Sequence, residues 1–522
     1  MRSDSSGGQQ ATVAETPRVY LDTRMPVATG RRLTVSAGGD LQAALDRARP
    51  GDEIVLTAGV TYTGNFNLPA KVGTSRAPGS GLVVTVRSSM LSSLAEGRRV
   101  GLSDTLMMAR IVTRINGAEV IGSSPGAAGW RLAGLEITAA PIVTQLGRLV
   151  RFGNGSGTAQ NTDASVPQNL VLDRSYVHAG PTLDIRRCID LQSGASAVID
   201  SYIAGCHSVG GDAQAIAGWN GPGPYKITNN YLEASTEIVA FGGADPGILD
   251  LVPSDIEIRR NHFFRPVAWK GVWLVKNLFE LKSAKRVLVE GNVMENNWAH
   301  GQAGSAIVLK STNQDGGCPW CGTQDVTFRL NLVRNTGSGF ALSAAPDPNA
   351  TNYPLQRITI QDNILANIDL APIFNGDGRG FLINQNPADV TIVHNTVISP
   401  TNSGIGFGGP SQTPPVRLVI RDNIIGGGQY GVKGPGLAAG TATISTFMDS
   451  RAFGGNVLIL TNGSGYPGGN YLVSSVAAVG FANATGLDFR LIGGMRNRGT
   501  DGRDPGADVN AVNAAIAGVV VP

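Results

Sequence analysis

The stretch ITIQDNIL at residues 358–365 decides the fold, because close copies of it return further along the chain. VTIVHNTV follows at 390–397 and LVIRDNII at 418–425. In each copy apolar and β-branched residues alternate with polar ones, which predicts a β-strand with one apolar and one polar face. The sixth residue of each copy is asparagine, so the repeated unit carries an amide at a fixed place.

The same pattern extends over much of the chain, with serine at the sixth position in the two earliest copies. That position is held by Ser175, Ser201, Asn230, Asn261, Asn292, Asn331, Asn363, Asn395 and Asn423, at intervals of 26 to 39 residues. A unit of this size cannot bury its own apolar face, so neighbouring units must stack. Repeated asparagines between β-branched residues indicate amides that hydrogen-bond from turn to turn. The predicted fold is all-β, a single-stranded right-handed parallel β-helix.

A second strand precedes each of these strands, as in LFELKS at 278–283 and AIVLKS at 306–311. Aligning its copies gives two columns of side chains that point inward, because side chains alternate across a strand. The first column is Ile189, Ile216, Val239, Phe279, Ile307, Phe340, Phe381 and Ile405. The second is Leu191, Gly218, Phe241, Leu281, Leu309, Leu342, Ile383 and Phe407. We expect both columns to form the core.

The ends of the chain suggest how the stack is closed. Residues 1–17 are polar and predict a disordered leader, and residues 18–522 predict one β-helix domain. Apolar residues at helical spacing within about residues 38–50 predict a short capping helix, which solenoids need at an open end. The segment from about 485 to 522 is expected to close the other end.

Composition limits the classes of partner. The formal net charge of 522 residues is only +3, so nucleic acid is not an implied partner. No apolar run reaches the roughly 18 residues that a membrane span needs. We expect a secreted or periplasmic monomer whose signal peptide is not in this sequence. Two cysteine pairs, Cys188 with Cys206 and Cys318 with Cys321, favour cystines in an exported protein over a redox site, although the spacing leaves the pairing open.

The outward positions of the second strand point to a site. Lys282 and Lys310 take equivalent places on consecutive turns, and Glu280 lies beside Lys282. Two stacked lysines repel each other, so their placement costs stability unless an acidic group or a ligand lies between them. Such a local conflict is typical of a functional site. A solvated ion pair of Glu280 with one lysine is the simpler alternative.

Neighbouring loops supply groups that are suited to binding sugars. An exposed tryptophan offers a flat apolar face for a sugar ring, and carboxylates and amides can bind its hydroxyl groups. The candidate substrate-binding residues are Asp212, Gln214, Trp219, Asn220, Asp245, Trp298, Gln302 and Trp320. His300 lies in one of these loops and is a candidate general acid.

From about residue 30 to 510 the chain resembles the pectate lyase superfamily, and within it the bacterial right-handed β-helix repeat proteins. FELKS at 279–283 and AIVLKS at 306–311 are similar to the alginate lyase and chondroitinase group, in which a strand ending in Lys-Ser carries the catalytic lysine and the next turn an arginine. This resemblance implies Lys282 as the base and places Lys310 where that group has arginine. It leaves Ca²⁺ as an optional cofactor, and Asn277 stands where an acidic ligand is expected.

The function expected from these features is β-elimination on a polysaccharide that contains uronic acid. Lys282 would remove the C5 proton, Lys310 would stabilise the developing negative charge, and Glu280 would orient Lys282. Two alternatives stay open. A glycoside hydrolase would use a pair of carboxylates, drawn from Asp190, Asp212, Asp245 and Glu280. A carbohydrate-binding or adhesive β-helix would have no catalytic group at all.

Overall fold

The computed structural model describes residues 11–76, 81–313, 316–344, 354–398, 400–408, 414–460 and 465–520. The chain divides into two compact units. The N-terminal unit consists of Pro17–Val287 and Asn313–Cys321. The C-terminal unit consists of residues 11–16 of the described chain, Leu288–Thr312 and the described residues from Gly322 onward.

Short parallel strands make up the N-terminal unit. They are β1 (Arg32–Val35), β2 (Glu53–Leu56), β3 (Thr61–Thr63), β4 (Phe66–Leu68), β5 (Val84–Ser88), β6 (Ala109–Thr113), β7 (Ile121–Ser123), β8 (Ala128–Ala133), β9 (Leu135–Ala139), β10 (Gln145–Gly153), β11 (Gln168–Asp173), β12 (Tyr176–His178), β13 (Asp184–Gln192), β14 (Ser196–Ile199), β15 (Tyr202–Cys206), β16 (Gln214–Gly218), β17 (Tyr225–Thr228), β18 (Tyr231–Ala234), β19 (Val239–Phe241), β20 (Ser254–Arg259), β21 (His262–Phe264) and β22 (Phe279–Leu281). The next strand, β23 (Ala284–Glu290), contains the residues at which the first unit ends and the second begins.

Within this unit the strands form three parallel sheets. Sheet I contains β1, β2, β5, β8, β11, β14, β17 and β20, and sheet III contains β3, β6, β9, β12, β15, β18 and β21. Sheet II runs through β4, β7, β10, β13, β16, β19 and β22. Consecutive strands of one sheet therefore come from consecutive turns of the chain, which is the arrangement of a right-handed parallel β-helix, as predicted.

The C-terminal unit repeats this arrangement with its own strands. They are β24 (Val293–Glu295), β25 (Ser305–Lys310), β26 (Thr323–Arg329), β27 (Leu332–Thr336), β28 (Ser338–Ser343), β29 (Gln356–Gln361), β30 (Ile364–Ile368), β31 (Arg379–Asn384), β32 (Ala388–Val393), β33 (Thr396–Val397), β34 (Ser403–Gly408), β35 (Val416–Arg421), β36 (Ile424–Gly426), β37 (Val432–Lys433), β38 (Phe453–Gly454), β39 (Val457–Ile459), β40 (Tyr471–Val473), β41 (Phe481–Asn483) and β42 (Asp488–Leu491). All but the last two, which pair antiparallel, belong to parallel sheets.

The predicted core is confirmed in both units. In the N-terminal unit Ile189 pairs with Ile216, and Val239 pairs with Phe279. In the C-terminal unit the register places the phenylalanines of β28 and β31 side by side, and their rings stack with centroids 5.4 Å apart. Every described apolar member of the two inward columns is at most 5% exposed. Burial of these columns is the main favourable contribution to stability, because apolar area is removed from water.

The asparagine ladder is also confirmed, and it is longer than predicted. In the C-terminal unit the backbone N–H of each ladder residue donates to the side-chain Oδ1 of the next, at 2.8–3.1 Å, through Asn292, Asn331, Asn363, Asn395, Asn423, Asn456 and Asn470. The last two were missed because their copies of the pattern are shortened. In the N-terminal unit Ser175, Ser201, Asn230 and Asn261 form the corresponding series.

Each ladder residue follows a sharp corner of the chain. The residue before it takes a positive φ, for example 57° at Leu330, 52° at His394 and 58° at Asp422. This region is unfavourable for side chains other than glycine, asparagine and aspartate. The ladder amide hydrogen-bonds the carbonyl groups around the corner, as Asn395 does with Ile360 O and Val393 O. These bonds hold the strained corner in place.

Helices lie near both ends of the chain, but not all of them close the stack of turns as predicted. Helix α1 (Leu41–Arg47) lies inside the predicted cap, buries Leu41, Ala44 and Leu45, and is capped by the Asp40 carboxylate, which accepts from Ala43 N. Three helices follow in the C-terminal unit, α2 (Thr441–Phe447), α3 (Val476–Val479) and α4 (Val509–Ile516). Short 3₁₀ turns occur at Leu91–Ser93, Leu102–Met107, Asp163–Ser165, Val267–Trp269 and Ser450–Ala452.

The closing segment has a different role from the one predicted. Val509 and Val512 of α4 pack against an outward column of strand residues that includes Ile364, Ile424 and Val457. The segment thus covers the outer face of a sheet, because that column is apolar and would otherwise meet water. Phe447 of α2 stacks on the last core phenylalanine, with ring centroids 4.7 Å apart, and it is α2 that covers the final turns.

The expectation of a disordered leader is wrong for residues 11–17. In the C-terminal unit the backbone N–H of Thr12 donates to Asp389 at 2.8 Å, and that of Glu15 donates to Asp325 at 3.2 Å. The polar composition of the leader did not reveal that aspartates on outward turns could take up the N–H groups of an extended segment. Residues 1–10 lie outside the described residues.

Both cysteine pairs are disulfides. Cys188 bonds Cys206 across neighbouring turns of the N-terminal unit, with Cα atoms 5.7 Å apart. Cys318 bonds Cys321 within one loop of the same unit. Among the helices of the described residues, none combines the length and the apolar character that crossing a membrane requires.

Replacing one ladder amide tests what the ladder contributes. Asn363→Ala removes the acceptor of Asn331 N–H and the donor to Phe328 O and Gln361 O. Because buried groups then lose their partners, we expect the free energy of unfolding to fall by roughly 2–4 kcal/mol, measured by urea denaturation.

The matched control is Asn513→Ala on the exposed side of α4, which should change the free energy by less than about 0.5 kcal/mol. Equal effects of the two substitutions would show that the ladder adds no specific stability.

Candidate active site on sheet II

Charged side chains gather on sheet II of the N-terminal unit, at the start of its strands and at its outward positions. The strand register puts Arg148, Arg187 and Gln214 in one row. A parallel row holds Asp190, Ala217, Ala240 and Glu280, as the sequence alignment predicted. We call the sheet II face the set Arg148, Arg187, Asp190, Asp212, Gln214, Glu237, Lys276, Asn277, Glu280 and Lys282.

An ammonium group lies between two carboxylates at the centre of this face. Lys276 Nζ donates to Asp212 Oδ1 and lies 3.5 Å from Glu237 Oε1. The Glu237 side chain is 1% exposed, and its other oxygen accepts a 2.8 Å hydrogen bond from Gln214 Nε2. A buried carboxylate is costly unless it is paired, so Lys276 is what allows Glu237 to be there.

A second pair lies beside it. Glu280 is 1% exposed, and its Oε1 lies 3.9 Å from Lys282 Nζ, whose side chain is 24% exposed. Asn277 Nδ2 donates to the other oxygen of Glu280 at 3.1 Å, which fixes the carboxylate in one orientation. The arrangement holds an ammonium group at the surface above a buried acid.

The pKa values of the two acids nearest Lys276 are shifted in opposite directions. Burial, together with the charges of Glu280 and Asp212, raises the pKa of Glu237. Burial alone would raise the pKa of Asp212 too, but the hydrogen bond and charge of Lys276 outweigh it and lower that pKa. Burial acts to lower the pKa of Lys276, yet the nearby carboxylates raise it. Lys276 therefore stays an ammonium ion.

A buried arginine positions the strands that carry these groups. Arg265 is 0% exposed and donates to the backbone carbonyls of Thr236 at 2.6 Å and Asn277 at 2.8 Å. These carbonyls adjoin Glu237 and Lys276 in the chain. Burial lowers the pKa of Arg265 to about 9. Arg265 is a positioning residue for the sheet II face.

Close backbone packing also shapes the face. Gly243 has φ of 93°, and a Cβ added there would lie 2.6 Å from Lys282 Cδ. A side chain at this position would push the Lys282 stem aside, so the glycine is required both for the backbone conformation and for the place of the lysine.

The donor set does not fit the Ca²⁺ ion that the resemblance left open. Calcium takes six to eight oxygen ligands, mostly carboxylates and carbonyls. Here the carboxylates of Asp212 and Glu237 are already engaged by Lys276, and Glu280 lies beside Lys282. Among the described residues, the carboxylates of this face do not converge as a metal cluster would. An ammonium group supplies the positive charge at this point.

Two predicted sugar-binding residues, Trp219 and Asn220, have hydrogen-bond partners within the protein. Trp219 is half-buried, and its Nε1 donates to Gly155 O at 3.0 Å. Asn220 is 0% exposed, and its amide nitrogen donates to the carbonyls of Asn154 and Gln160. The Asn220 side chain is buried and holds loops together. Its amide satisfies backbone carbonyls that the loops would otherwise leave unpaired.

Asp245 and Trp320 each make a hydrogen bond at the loop that contains the Cys318–Cys321 disulfide of the same unit. Asp245 Oδ2 accepts from Gly317 N at 2.8 Å, and Trp320 Nε1 donates to Leu251 O at 3.2 Å. Both side chains keep part of their surface in solvent. Their predicted contact with sugar stays a prediction.

The remaining predicted residues belong to the C-terminal unit. Lys310 is half-buried at the end of β25, and His300 is exposed in a loop where its backbone N–H donates to Gln302 O at 3.1 Å. Trp298 is 1% exposed, which places its ring in the interior. The roles predicted for Lys310, His300 and Gln302 stay predictions.

The sequence reasoning missed Glu237, Lys276, Arg187 and Arg265. Extending the alignment two residues upstream of the first inward column would have put Arg187, Gln214, Glu237 and Asn277 in one column. Nothing in the sequence marks Arg265, because it donates to backbone carbonyls, which no side-chain pattern reveals.

No protein-family model and no curated protein sequence matches the chain. Among solved structures it is similar to an alginate lyase from Paenibacillus sp. str. FPU-7, at 16% identity over 74% of this chain and 97% of that chain, with a TM-score of 0.35. It is similar to a mannuronic acid specific polysaccharide family 6 lyase from human gut microbiota, at 13% identity over 85% and 91%, with a TM-score of 0.49. The catalytic domain of a GH87 alpha-1,3-glucanase matches at 14% identity over 88% and 68%, with a TM-score of 0.43.

Removing the central ammonium group should destabilise the fold. Lys276→Met leaves Glu237 buried without its ion partner, so we expect the free energy of unfolding to fall by roughly 2–3 kcal/mol. The loss should grow as pH rises, because the pKa of Glu237 is raised and its ionised form is the costly one. Urea denaturation at several pH values measures both effects.

Lys276→Met combined with Glu237→Gln should recover much of the loss, and Lys270→Met, at an exposed lysine, should have little effect. If the double variant is less stable than Lys276→Met, the ion pair is not the source of the effect.

Proposed function

We propose that the sheet II face binds an acidic polysaccharide and cleaves it by β-elimination, with Lys282 as the base. The observation that carries this proposal is the pair formed by Lys282 and Glu280. The ammonium group of Lys282 reaches solvent, whereas the carboxylate of Glu280 is buried. A general base must be within reach of substrate and held in one place, and this arrangement meets both needs. Two disulfides are in keeping with export to where such polymers occur.

The reaction breaks two bonds and forms one double bond in the sugar. Neutral Lys282 removes the proton from C5 of a uronic acid, the electron pair forms the C4=C5 double bond, and the C4–O4 bond breaks. The proton held by Lys282 then passes to the leaving oxygen. Glu280 Oε1 lies 3.9 Å from Lys282 Nζ and would face the ammonium group formed between these two events.

A glycoside hydrolase is the second candidate, and one observation favours it. Asp212 and Glu237 share Lys276, yet the pKa of Asp212 is lowered while that of Glu237 is raised. Two carboxyl groups with opposite shifts are the usual basis of a general acid and base pair. Glu237 is almost fully buried, so a substrate could reach it only if the face opened.

Variants of Lys282 separate these functions. Lys282→Ala should lower the rate of β-elimination about 10²–10⁴-fold, because proton removal loses its base. Lys282→Arg should be similarly inactive, since a guanidinium keeps the charge but is not deprotonated in proteins. The measurement is ultraviolet absorbance of the unsaturated product from alginate, pectate and glycosaminoglycans, with the exposed Lys270→Ala as control.

Reducing ends that form without this absorbance, and that depend on Asp212 or Glu237, would replace the lyase with a hydrolase. Binding of a polymer without any cleavage would assign a carbohydrate-binding role. Activity in Lys282→Arg equal to that of the parent would remove Lys282 as the base.

A further inference from the structure

Arg187 differs from the other arginines on this side of sheet II. Arg148 Nε lies 3.4 Å from Asp190 Oδ2, and Arg151 Nη2 lies 2.8 Å from Glu119 Oε1. The guanidinium of Arg187 makes no hydrogen bond or ion pair with any described residue, although the residue is half-buried and its Nε is fully covered. The covered Nε–H is left without an acceptor, and the terminal Nη groups remain available to an acceptor outside the chain.

The guanidinium lies over an aromatic ring. Arg187 Cζ lies 4.6 Å from the centroid of the Trp219 ring. The indole is fixed in turn by its hydrogen bond to Gly155 O and by close contact, since a Cβ on Gly155 would lie 2.1 Å from the ring. Because Nε is covered, a ligand would be bound by the two terminal Nη groups of the guanidinium.

The surrounding charges favour an anion over a neutral sugar. Arg148 lies next to Arg187 in the strand register, and Arg186 precedes it in the chain. Asp190 is engaged by Arg148 and Gln192, and Asp212 by Lys276. The charge of Asp190 still acts on Arg187, but among the described residues no hydrogen bond or ion pair joins a carboxylate to Arg187.

We propose that Arg187, stacked on Trp219, binds an oxyanion of the polysaccharide, either a uronate carboxylate or a sulfate ester. Both present two oxygens to the two parallel N–H groups of a guanidinium. Arg187 on β13 and Lys282 after β22 are three turns apart, about 14 Å along the stack at the ~4.8 Å strand spacing, and they also differ by five positions along the strand direction. The contact therefore selects and orients the chain at a distance from the reacting sugar. This inference rests on the proposed function for its ligand class.

Binding to a variant that cannot turn over tests the proposal. The parent is the full chain with Lys282→Ala, titrated calorimetrically with oligomannuronate and oligogalacturonate tetrasaccharides. The same tetrasaccharides with their carboxyl groups reduced to alcohols, and a sulfated galactan tetrasaccharide, complete the set of probes. Arg187→Gln and Arg187→Lys are then introduced into this parent.

We expect Arg187→Gln to weaken binding of the anionic tetrasaccharide about 10- to 100-fold, the loss of a charge-assisted bidentate contact. Arg187→Lys should recover only part, because an ammonium cannot form the paired contact. Binding of the reduced tetrasaccharides should not change. If the sulfated galactan responds to Arg187 and the uronates do not, the oxyanion is a sulfate.

Equal binding by parent and Arg187→Gln would overturn the proposal. So would an equal loss for the reduced tetrasaccharides, or no binding of any anionic probe by the parent. The outcome is separate from that of the proposed function, because a protein that binds anions through Arg187 without β-elimination keeps this inference and loses the other. Unchanged thermal unfolding of Arg187→Gln shows that the fold is intact.

Discussion

Each turn of this β-helix depends on the next, since a single turn satisfies neither its backbone groups nor its apolar side chains. The two inward columns remove apolar surface from water only when turns stack, and the ladder amides hydrogen-bond only across turns. This requirement fixes the register of every strand. Because register is fixed, outward side chains on successive turns also take fixed places, and a charged face can be built on them.

The buried charges of the sheet II face cost stability, and the regular stacking of the turns compensates for that cost. Glu237 and Glu280 are both 1% exposed, and each lies near a lysine that reaches solvent. Buried ion pairs seldom add stability beyond what apolar residues would give. Their retention on one face, together with the buried Arg265 that fixes the backbone beneath them, agrees with a face kept for chemistry rather than for folding.

The fold could be predicted from the sequence because its signal is repeated. Asn363 or Phe381 alone says little, but eight or nine copies of each position define the columns. The site could be predicted only in part. Glu280 and Lys282 stand on a strand whose alternation is clear, whereas Lys276 and Arg265 reach their partners from loops and turns. Trp219 was recognised, but its ring supports an arginine, which no pattern in the sequence indicates.

The most direct test is a crystal structure of Lys282→Ala with a bound uronate tetrasaccharide. We expect the sugar chain to lie along sheet II of the N-terminal unit, with C5 of one uronate facing residue 282 and an oxyanion of another sugar on Arg187. A sugar chain bound to another face, or one whose glycosidic bond lies against Asp212 and Glu237 with residue 282 out of reach, would contradict it.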